Sequence, residues 1–333
     1  MVTLSPKSDR KILLELKGVK KYFPIKGGIL KRIQGNVKAV EDVSLHLYEG
    51  ESLGVVGESG CGKSTLGRAI LGLEELTEGK IFFRDKEIQD LKRKEKLKFV
   101  KEMQMIFQDP YASLNPRQRV GHALEEVFTM HTNMSAKEKR ASVLDLLHEV
   151  GLKEEHFDRY PHEFSGGQRQ RIGIARAIAL NPSFVICDEA VSALDVSVQA
   201  QVLKLLKTLQ EKYQLSYLFI SHDLGVVRYF CDRVLVMYLG NTVELGTVKG
   251  LFANPLHPYT QALLSAIPRP SVHVTTKRIR LQGDLPNPAN PPSGCPFHTR
   301  CPIAQDICKV DKPAWQEYET EHYAACHFAG TKI

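Results

Sequence analysis

Residues 57–64 read GESGCGKS, a match to the phosphate-loop pattern G-x-x-x-x-G-K-[ST], and this run restricts the possible folds more than any other. Such a loop works between a β-strand and the first turn of a helix. Its flanks supply both: ESLGVVG is a short apolar run ending in glycine, and KSTLGRAILGL is compatible with a helix. Gly57, Gly60 and Gly62 let the backbone turn so that successive N–H groups face phosphate oxygens, reinforced by the helix N-terminus. The candidate cradle therefore comprises Gly57, Ser59, Gly60, Cys61, Gly62, Lys63, Ser64 and Thr65. Lys63 reaches the β- and γ-phosphates, and the Ser64 hydroxyl ligates Mg²⁺. A glycine-rich turn before an ordinary helix is the bland alternative, and the strand-and-helix context argues against it.

A triphosphate site also needs a metal-holding carboxylate, usually at the end of a neighbouring strand. FVICDE supplies four apolar residues, then Asp188 for Mg²⁺ and Glu189 to polarise an attacking water. Alone, such an acidic pair is as well explained by surface charge; beside a phosphate loop it gains meaning. LSYLFISHD is a further buried strand ending in polar residues, and QAQVLKLLKTLQEKY spaces its apolar residues as a helix. Strand-like and helix-like runs thus alternate, the pattern of an α/β sheet with covering helices. From about 118 to 180 the chain reads as mostly helical, with a capping box at Ser135 and Glu138. That stretch looks like a helical subdomain inserted in the α/β domain. From residue 255 proline becomes dense (NPANPPSGCP), so a separate loop-rich module is expected there.

Composition narrows the class. Hydrophobic residues make up 43% and charged residues 25%, ordinary for a folded soluble chain. No run approaches the roughly 18 apolar residues of a membrane helix. The opening MVTLSPKSDRK has no signal-peptide core, so the expected compartment is the cytosol. The net charge of +7 is concentrated in residues 1–34, which hold nine Lys or Arg against two Asp or Glu. A nucleic-acid binder spreads basic surface over its fold. Here the surplus reads as an N-terminal arm, including GGILKR, that is solvated or lies against anionic lipid.

FSGGQRQRIGIARAI at 164–178 resembles the signature of ATP-binding-cassette (ABC) ATPases. From the residues alone, Ser165 with Gly166, Gly167 and Gln168 at a helix start is a second anion-binding surface or simply an N-cap. The resemblance implies that this segment binds the γ-phosphate of ATP held by a partner subunit, two chains sandwiching two nucleotides head to tail. It extends along almost the whole chain. Gln108 in IFQDPYASLNP is similar to the Q-loop glutamine that contacts Mg²⁺ and water, SALD at 192–195 to the D-loop, and His222 to the switch histidine beside the γ-phosphate. Tyr22 matches the aromatic that stacks on adenine, with Phe23 as a rival. The implied fold is an ABC-type phosphate-loop NTPase core over residues 1–254, with the helical subdomain at about 109–180 and a C-terminal module over 255–333. HPYTQALLSAIPRP, GDLPNPANPPSGCPFHTRCP and VSALDVSVQAQVL resemble ATPase subunits of dipeptide and oligopeptide importers. This implies an ATPase coupled to two membrane-spanning permeases, a sister ATPase or a second copy, and indirectly a peptide-binding protein, at the cytoplasmic face of the inner membrane and without nucleic acid. Import of nickel or another solute, or a soluble ABC ATPase acting on nucleic acid or ribosomes, are the alternatives. Phe164 replaces the commoner Leu of the signature, and Ala190 stands where a proline usually follows the acidic pair.

Four of the seven cysteines fall in the tail as C-x5-C-x6-C-x17-C. Disulfides are uncommon in the cytosol. Zinc sites usually carry cysteines two to four residues apart, whereas iron–sulfur clusters accept wider spacings. The residues leave metal, free thiols and disulfides open, with His298, His322 and His327 as possible substitute ligands. The resemblance to importer ATPases implies a [4Fe–4S] cluster on Cys295, Cys301, Cys308 and Cys326.

Overall fold

The computed structural model describes residues 10–27, 32–89, 91–109, 114–267 and 278–333. Backbone contacts divide the chain into two units, one drawn from residues 1–48, 52–90 and 221–333, the other from 49–51 and 91–220.

The first unit opens with two long strands. Ile12–Gly27 pairs antiparallel with Arg32–Tyr48 on one side and with Glu78–Phe83 on the other, and Lys86–Glu87 completes this sheet. The basic N-terminal stretch is therefore no solvated arm from residue 12 onward. Leu14, Leu16 and Val19 are at most 1% exposed. The lysines of this strand pair with carboxylates: Lys17 with Glu15 at 2.9 Å, Lys20 with Glu78 at 2.6 Å and Lys21 with Glu74 at 3.0 Å. From Leu14 to Lys17 apolar and charged residues alternate at period two, which places the leucines in the core and leaves the charges paired outside it. Residues 1–9 and 28–31, which include most of GGILKR, lie outside the described residues.

A second sheet in this unit is built around two fully buried strands, Ser52–Val56 and Arg233–Tyr238, which run parallel. Being covered on both faces, they read as near-continuous apolar runs. Asn241–Thr247 joins antiparallel to Arg233–Tyr238, and the C-terminal hairpin Gln316–Glu319 and His322–Ala324 adds to Asn241–Thr247. One buried carboxylate fastens this tail. Glu244, 0% exposed, accepts from the Leu256 and His257 N–H groups and from His322 Nε2, each at 2.8 Å. A buried carboxylate is tolerable only when its oxygens are satisfied in this way.

The second unit holds the parallel strands Met103–Ile106, Phe184–Asp188 and Ser216–Ile220. Between the first two strands the chain is helical: Val120–His131, Ala136–Glu149, two short 3₁₀ turns and Gly166–Ile178. Val120, Leu124 and Phe128 are buried at intervals of four, one stripe of an amphipathic helix. The capping box at the start of Ala136–Glu149 is present: Glu138 N–H donates to Ser135 Oγ at 3.4 Å, and Ser135 N–H to Glu138 Oε2 at 2.7 Å. Helix Val196–Tyr213 follows Phe184–Asp188 and leads into Ser216–Ile220. Among the described residues no helix is long and apolar enough to cross a membrane.

Candidate functional site

The loop at 57–64 leaves the buried strand Ser52–Val56 and enters helix Lys63–Ile70. Two of its glycines, Gly57 and Gly62, are required by space as well as by dihedral. A Cβ on Gly62 (φ 101°) would sit 1.9 Å from the Ala39 carbonyl oxygen, and one on Gly57 (φ 153°) 2.2 Å from that of Met237. No L side chain fits there. Gly60 (φ 80°) faces open space, and it and Ser59 are exposed. Lys63 is only 5% exposed, and its Nζ donates to the Gly57 carbonyl at 2.8 Å and the Glu58 carbonyl at 3.0 Å. The ammonium is thereby held against the inside of the loop. Cys61 is buried, with its carbonyl accepting from Gly240 N–H at 3.0 Å; burial pushes its thiol up, and the adjacent Lys63 offsets this only in part. Ser64 and Thr65 are half-buried in the first helical turn, which carries no acidic residue. An anion meeting this turn finds only N–H groups, hydroxyls and one ammonium.

In the same unit, Tyr22 and Phe23 sit next to each other on strand Ile12–Gly27. Successive strand residues face opposite ways, so they cannot share one role. The Tyr22 hydroxyl donates to Glu41 Oε1 at 2.7 Å, and Lys38 Nζ lies 5.5 Å from its ring centre. Phe23 has Lys21 Nζ at 4.7 Å. His222 lies two residues beyond strand Ser216–Ile220 and is exposed.

The second unit carries the acidic pair. Asp188 ends strand Phe184–Asp188 and is 3% exposed. Glu189 has φ 47°, the left-handed region uncommon for a non-glycine residue. Its neighbours hold it there: its N–H donates to the Ile220 carbonyl at 3.0 Å, and its own carbonyl accepts from Ser192 Oγ at 2.9 Å. Strain of this kind collects where a side chain must be aimed. Gln108 Nε2 donates to Glu189 Oε2 at 2.9 Å, joining two residues 81 positions apart that the sequence singled out separately. Ala190, in the position usually held by proline, is buried in this turn.

The segment 164–168 begins helix Gly166–Ile178. Ser165 is exposed and caps it: Gln168 N–H donates to Ser165 Oγ at 3.3 Å, and Ser165 N–H donates to Gln168 Oε1 at 3.0 Å. A Cβ on Gly167 would lie 2.3 Å from Val198 Cγ1, so this glycine permits close packing of helix Val196–Tyr213, whereas Gly166 is exposed. Phe164 is buried edge-on to the His156 ring at 5.2 Å, a packing role that a leucine can also fill. Asp195 caps helix Val196–Tyr213 by accepting from Ser197 Oγ at 2.6 Å and Val198 N–H at 3.0 Å, and the Ser197 bond holds its carboxyl below the usual range.

All seven cysteines are free thiols. Cys187 and Cys231 are buried packing residues. In the tail, Cys295 N–H donates to the Cys308 carbonyl at 2.9 Å, and Phe328 N–H approaches Cys326 Sγ at 3.4 Å. Burial pushes the Cys295 thiol up to about 12 and the Cys326 thiol up to about 11, and neighbouring tail cysteines add to both shifts. Among the described residues no three His, Cys, Asp or Glu side chains converge to hold a metal ion, and the expected iron–sulfur centre is not shown. The three nearby histidines are otherwise engaged: His298 Nδ1 at 2.9 Å from the Cys295 carbonyl, His322 with Glu244, and His327 Nε2 at 3.0 Å from the Asp311 carbonyl.

Sequence reasoning passed over Glu58, Tyr259 and Arg300. Arg300 donates from Nη1 and Nη2 to the two Glu58 oxygens at 2.6 and 3.1 Å, across 242 positions. The Glu58 N–H donates to the Tyr259 hydroxyl at 2.9 Å. Only the three-dimensional fold reveals such partners.

A strand–phosphate-loop–helix unit, a buried aspartate ending a parallel strand and a glutamate bound to a glutamine define a nucleoside-triphosphate hydrolase. Residues 40–192 match the family described as ABC transporter, and residues 243–308 match the oligopeptide/dipeptide transporter C-terminal region. The chain is 54% identical over 323 residues to the oligopeptide transport ATP-binding protein AppF of Bacillus subtilis (strain 168), covering 96% of this chain and 98% of that protein. It is 50% identical to the dipeptide transport ATP-binding protein DppF of Haemophilus influenzae, covering 94% and 96%. A dimeric, post-hydrolysis structure of the ATP-binding cassette MJ0796 bound to ADP and Pi is 30% identical, with a TM-score of 0.63, covering 71% of this chain and 99% of that one. The chain belongs to the ABC transporter ATPase family, in the branch carrying the oligopeptide/dipeptide C-terminal region, and its activity is ATP hydrolysis.

Proposed function

We propose that this chain is the ATP-hydrolysing subunit that energises import of dipeptides or oligopeptides through a membrane ABC transporter. The observation that carries the reading is the pairing, in one chain, of the ATPase site with the C-terminal region named for peptide transporters. Two ATPase subunits, either two copies or this chain and a sister, would each hold ATP between the phosphate loop of one and the Ser165–Gln168 segment of the other. The dimeric form of the cassette relative supports this arrangement. The ATPase pair would sit at the cytoplasmic face of the membrane beneath two permease subunits, with a peptide-binding protein delivering substrate.

Within each site, Gly57, Ser59, Gly60, Cys61, Gly62 and Thr65 supply backbone or hydroxyl contacts to the phosphates, and Lys63 neutralises charge as the γ-phosphoryl leaves. Ser64, Gln108 and Asp188 each offer a hard oxygen donor of the kind Mg²⁺ takes, and the ion would supply charge neutralisation when bound. Glu189 orients water as general base, Gln108 fixes its carboxylate, and His222 contacts the γ-phosphate. Tyr22 takes the adenine, since its ring is held by the hydroxyl bond to Glu41.

For the tail, we read Cys295, Cys301, Cys308 and Cys326 as ligands of a [4Fe–4S] cluster. A cluster binds each thiolate on a different iron, so its thiols stand further apart than the ligands of one ion. The four free thiols within one short tail segment support that reading, and the cluster would supply a structural cross-link. Brown protein whose visible absorbance bleaches with dithionite is expected; colourless anaerobic protein with stoichiometric zinc refutes it. For the transporter reading, the test is affinity purification from membranes. Two multi-span permeases and peptide-stimulated ATPase activity in reconstituted vesicles are expected. Retention on DNA or ribosomes after a salt wash, with no permease, would sink it.

A further inference from the structure

Glu58 is an anomaly inside an anion-binding loop. Its carboxylate lies between Gly57 and Ser59, where a negative charge opposes the phosphates the loop exists to bind. The structure answers this with one group from the C-terminal tail: the two-point pairing of Arg300 with both Glu58 oxygens. Such fork-to-fork pairs fix geometry as well as charge. The Arg300 side chain is only 10% exposed and its guanidinium lies 5.9 Å from the Tyr238 ring centre, so this is no loose surface pair. The contact is reinforced around it. Tyr259 accepts the Glu58 N–H, and Phe297, fully buried, packs edge-on against Tyr238 at 5.1 Å. Tyr238 ends the strand that leads to Gly240, whose N–H holds the Cys61 carbonyl.

We propose that the C-terminal module clamps the phosphate loop, with Arg300 as the positioning residue that neutralises Glu58 and turns its carboxylate away from the nucleotide. Nucleotide affinity is then set partly by the tail, through a residue that touches no substrate. The inference rests on the loop being the ATP site. It adds that the region which marks the peptide-transporter branch acts on the nucleotide-binding end of the protein.

The test measures Mg–ADP binding by calorimetry and ATP turnover for the full-length chain and three variants. Arg300→Ala leaves Glu58 uncompensated beside the phosphates. Its Kd and KM should rise by about tenfold at low ionic strength, the scale of one unpaired charge near an anion, while kcat changes little. The defect should shrink in about 0.5 M salt, where charges are screened within a few ångströms. Arg300→Ala with Glu58→Gln should recover affinity to near that of the unaltered chain, because the offending charge is gone. Glu58→Gln alone keeps the shape and should bind at least as tightly as the unaltered chain, so the charge argument stays testable even if Arg300→Ala folds poorly. Unaltered affinity in Arg300→Ala, a double variant as weak as the single one, or a tenfold loss in Glu58→Gln overturns the clamp. If the unaltered chain itself fails to bind Mg–ADP, the ATP-site reading falls and the clamp with it; normal binding there with no Arg300 effect refutes the clamp alone.

Discussion

Glu189→Gln separates the basicity of one carboxylate from its shape. The backbone bonds that hold residue 189, its N–H to Ile220 and its carbonyl from Ser192, do not involve the carboxylate and survive the change. Gln is no worse than Glu at φ 47°, so the local strain is unaltered. The side-chain bond from Gln108 at 2.9 Å persists with the amide oxygen as acceptor, but it loses its charge. For an exposed pair that costs about 0.5 kcal/mol, a fall in Tm of about 1–2 °C. Catalysis is affected far more. A positioned general base contributes about 10²–10⁴ in rate, or about 2.7–5.4 kcal/mol of barrier at about 1.36 kcal/mol per decade. Phosphate release by the purified variant should therefore fall at least a hundredfold, while Mg–ATP affinity stays within about threefold, since binding uses the loop and not this carboxylate. A variant that retains more than about a tenth of normal turnover would refute the base assignment. Loss of affinity in parallel with turnover would instead place Glu189 among the binding groups.

Further outcomes follow from the same geometry. Gly62→Ala forces a left-handed alanine, costing about 1–2 kcal/mol, and drives Cβ into the Ala39 carbonyl 1.9 Å away, so nucleotide binding should be lost with a lower urea midpoint. Phe164→Ala empties a buried site and should cost about 3–5 kcal/mol in urea unfolding, while Phe164→Leu should cost less than about 1.5 kcal/mol and keep near-normal ATPase activity. His257 is buried, its Nδ1 accepts from the Tyr259 N–H at 3.0 Å, and burial pushes it down to about 3 from its ordinary 6.5. The fold thus prefers the neutral ring: stability is full above pH 6.5 and is lost as pH falls towards 3. The loss is about 1.4 kcal/mol per unit, or about 2 kcal/mol at pH 5. His257→Asn keeps an N-cap acceptor without titrating and should lose correspondingly less between pH 7 and pH 5 in denaturant unfolding.

What was legible in the sequence was what depends on neighbours in the chain. GESGCGKS, FVICDE and the Ser135–Glu138 capping box are local patterns, and each folds as its own spacing dictates. The helical insertion showed for the same reason, since period 3.6 is written within single segments. The N-terminal strands were missed because their charged residues are interleaved with apolar ones, and a count of charges conceals the spacing that puts Leu14 and Leu16 in the core. The Gln108–Glu189 bond joins two motifs that were each visible, but nothing local announces that they meet.

The tail's contacts were the least legible part of the chain. Proline density near residue 255 marks a change in composition, and composition reads as a boundary. Composition carries no information about where backbone contacts go, and those contacts group residues 221–333 with the phosphate loop. The groups that make the connection are lone residues of common type: Glu244 gathering Leu256, His257 and His322, Tyr259 taking the Glu58 N–H, and Arg300 taking its carboxylate. A lone buried carboxylate or arginine has no periodicity and no spacing rule, yet it must be paired wherever it is buried. The signal available in advance was therefore an oddity, a glutamate inside a phosphate-binding loop. A charge that opposes the purpose of its site calls for a partner of opposite sign elsewhere in the chain, and the candidates are the arginines of segments whose role is otherwise unexplained.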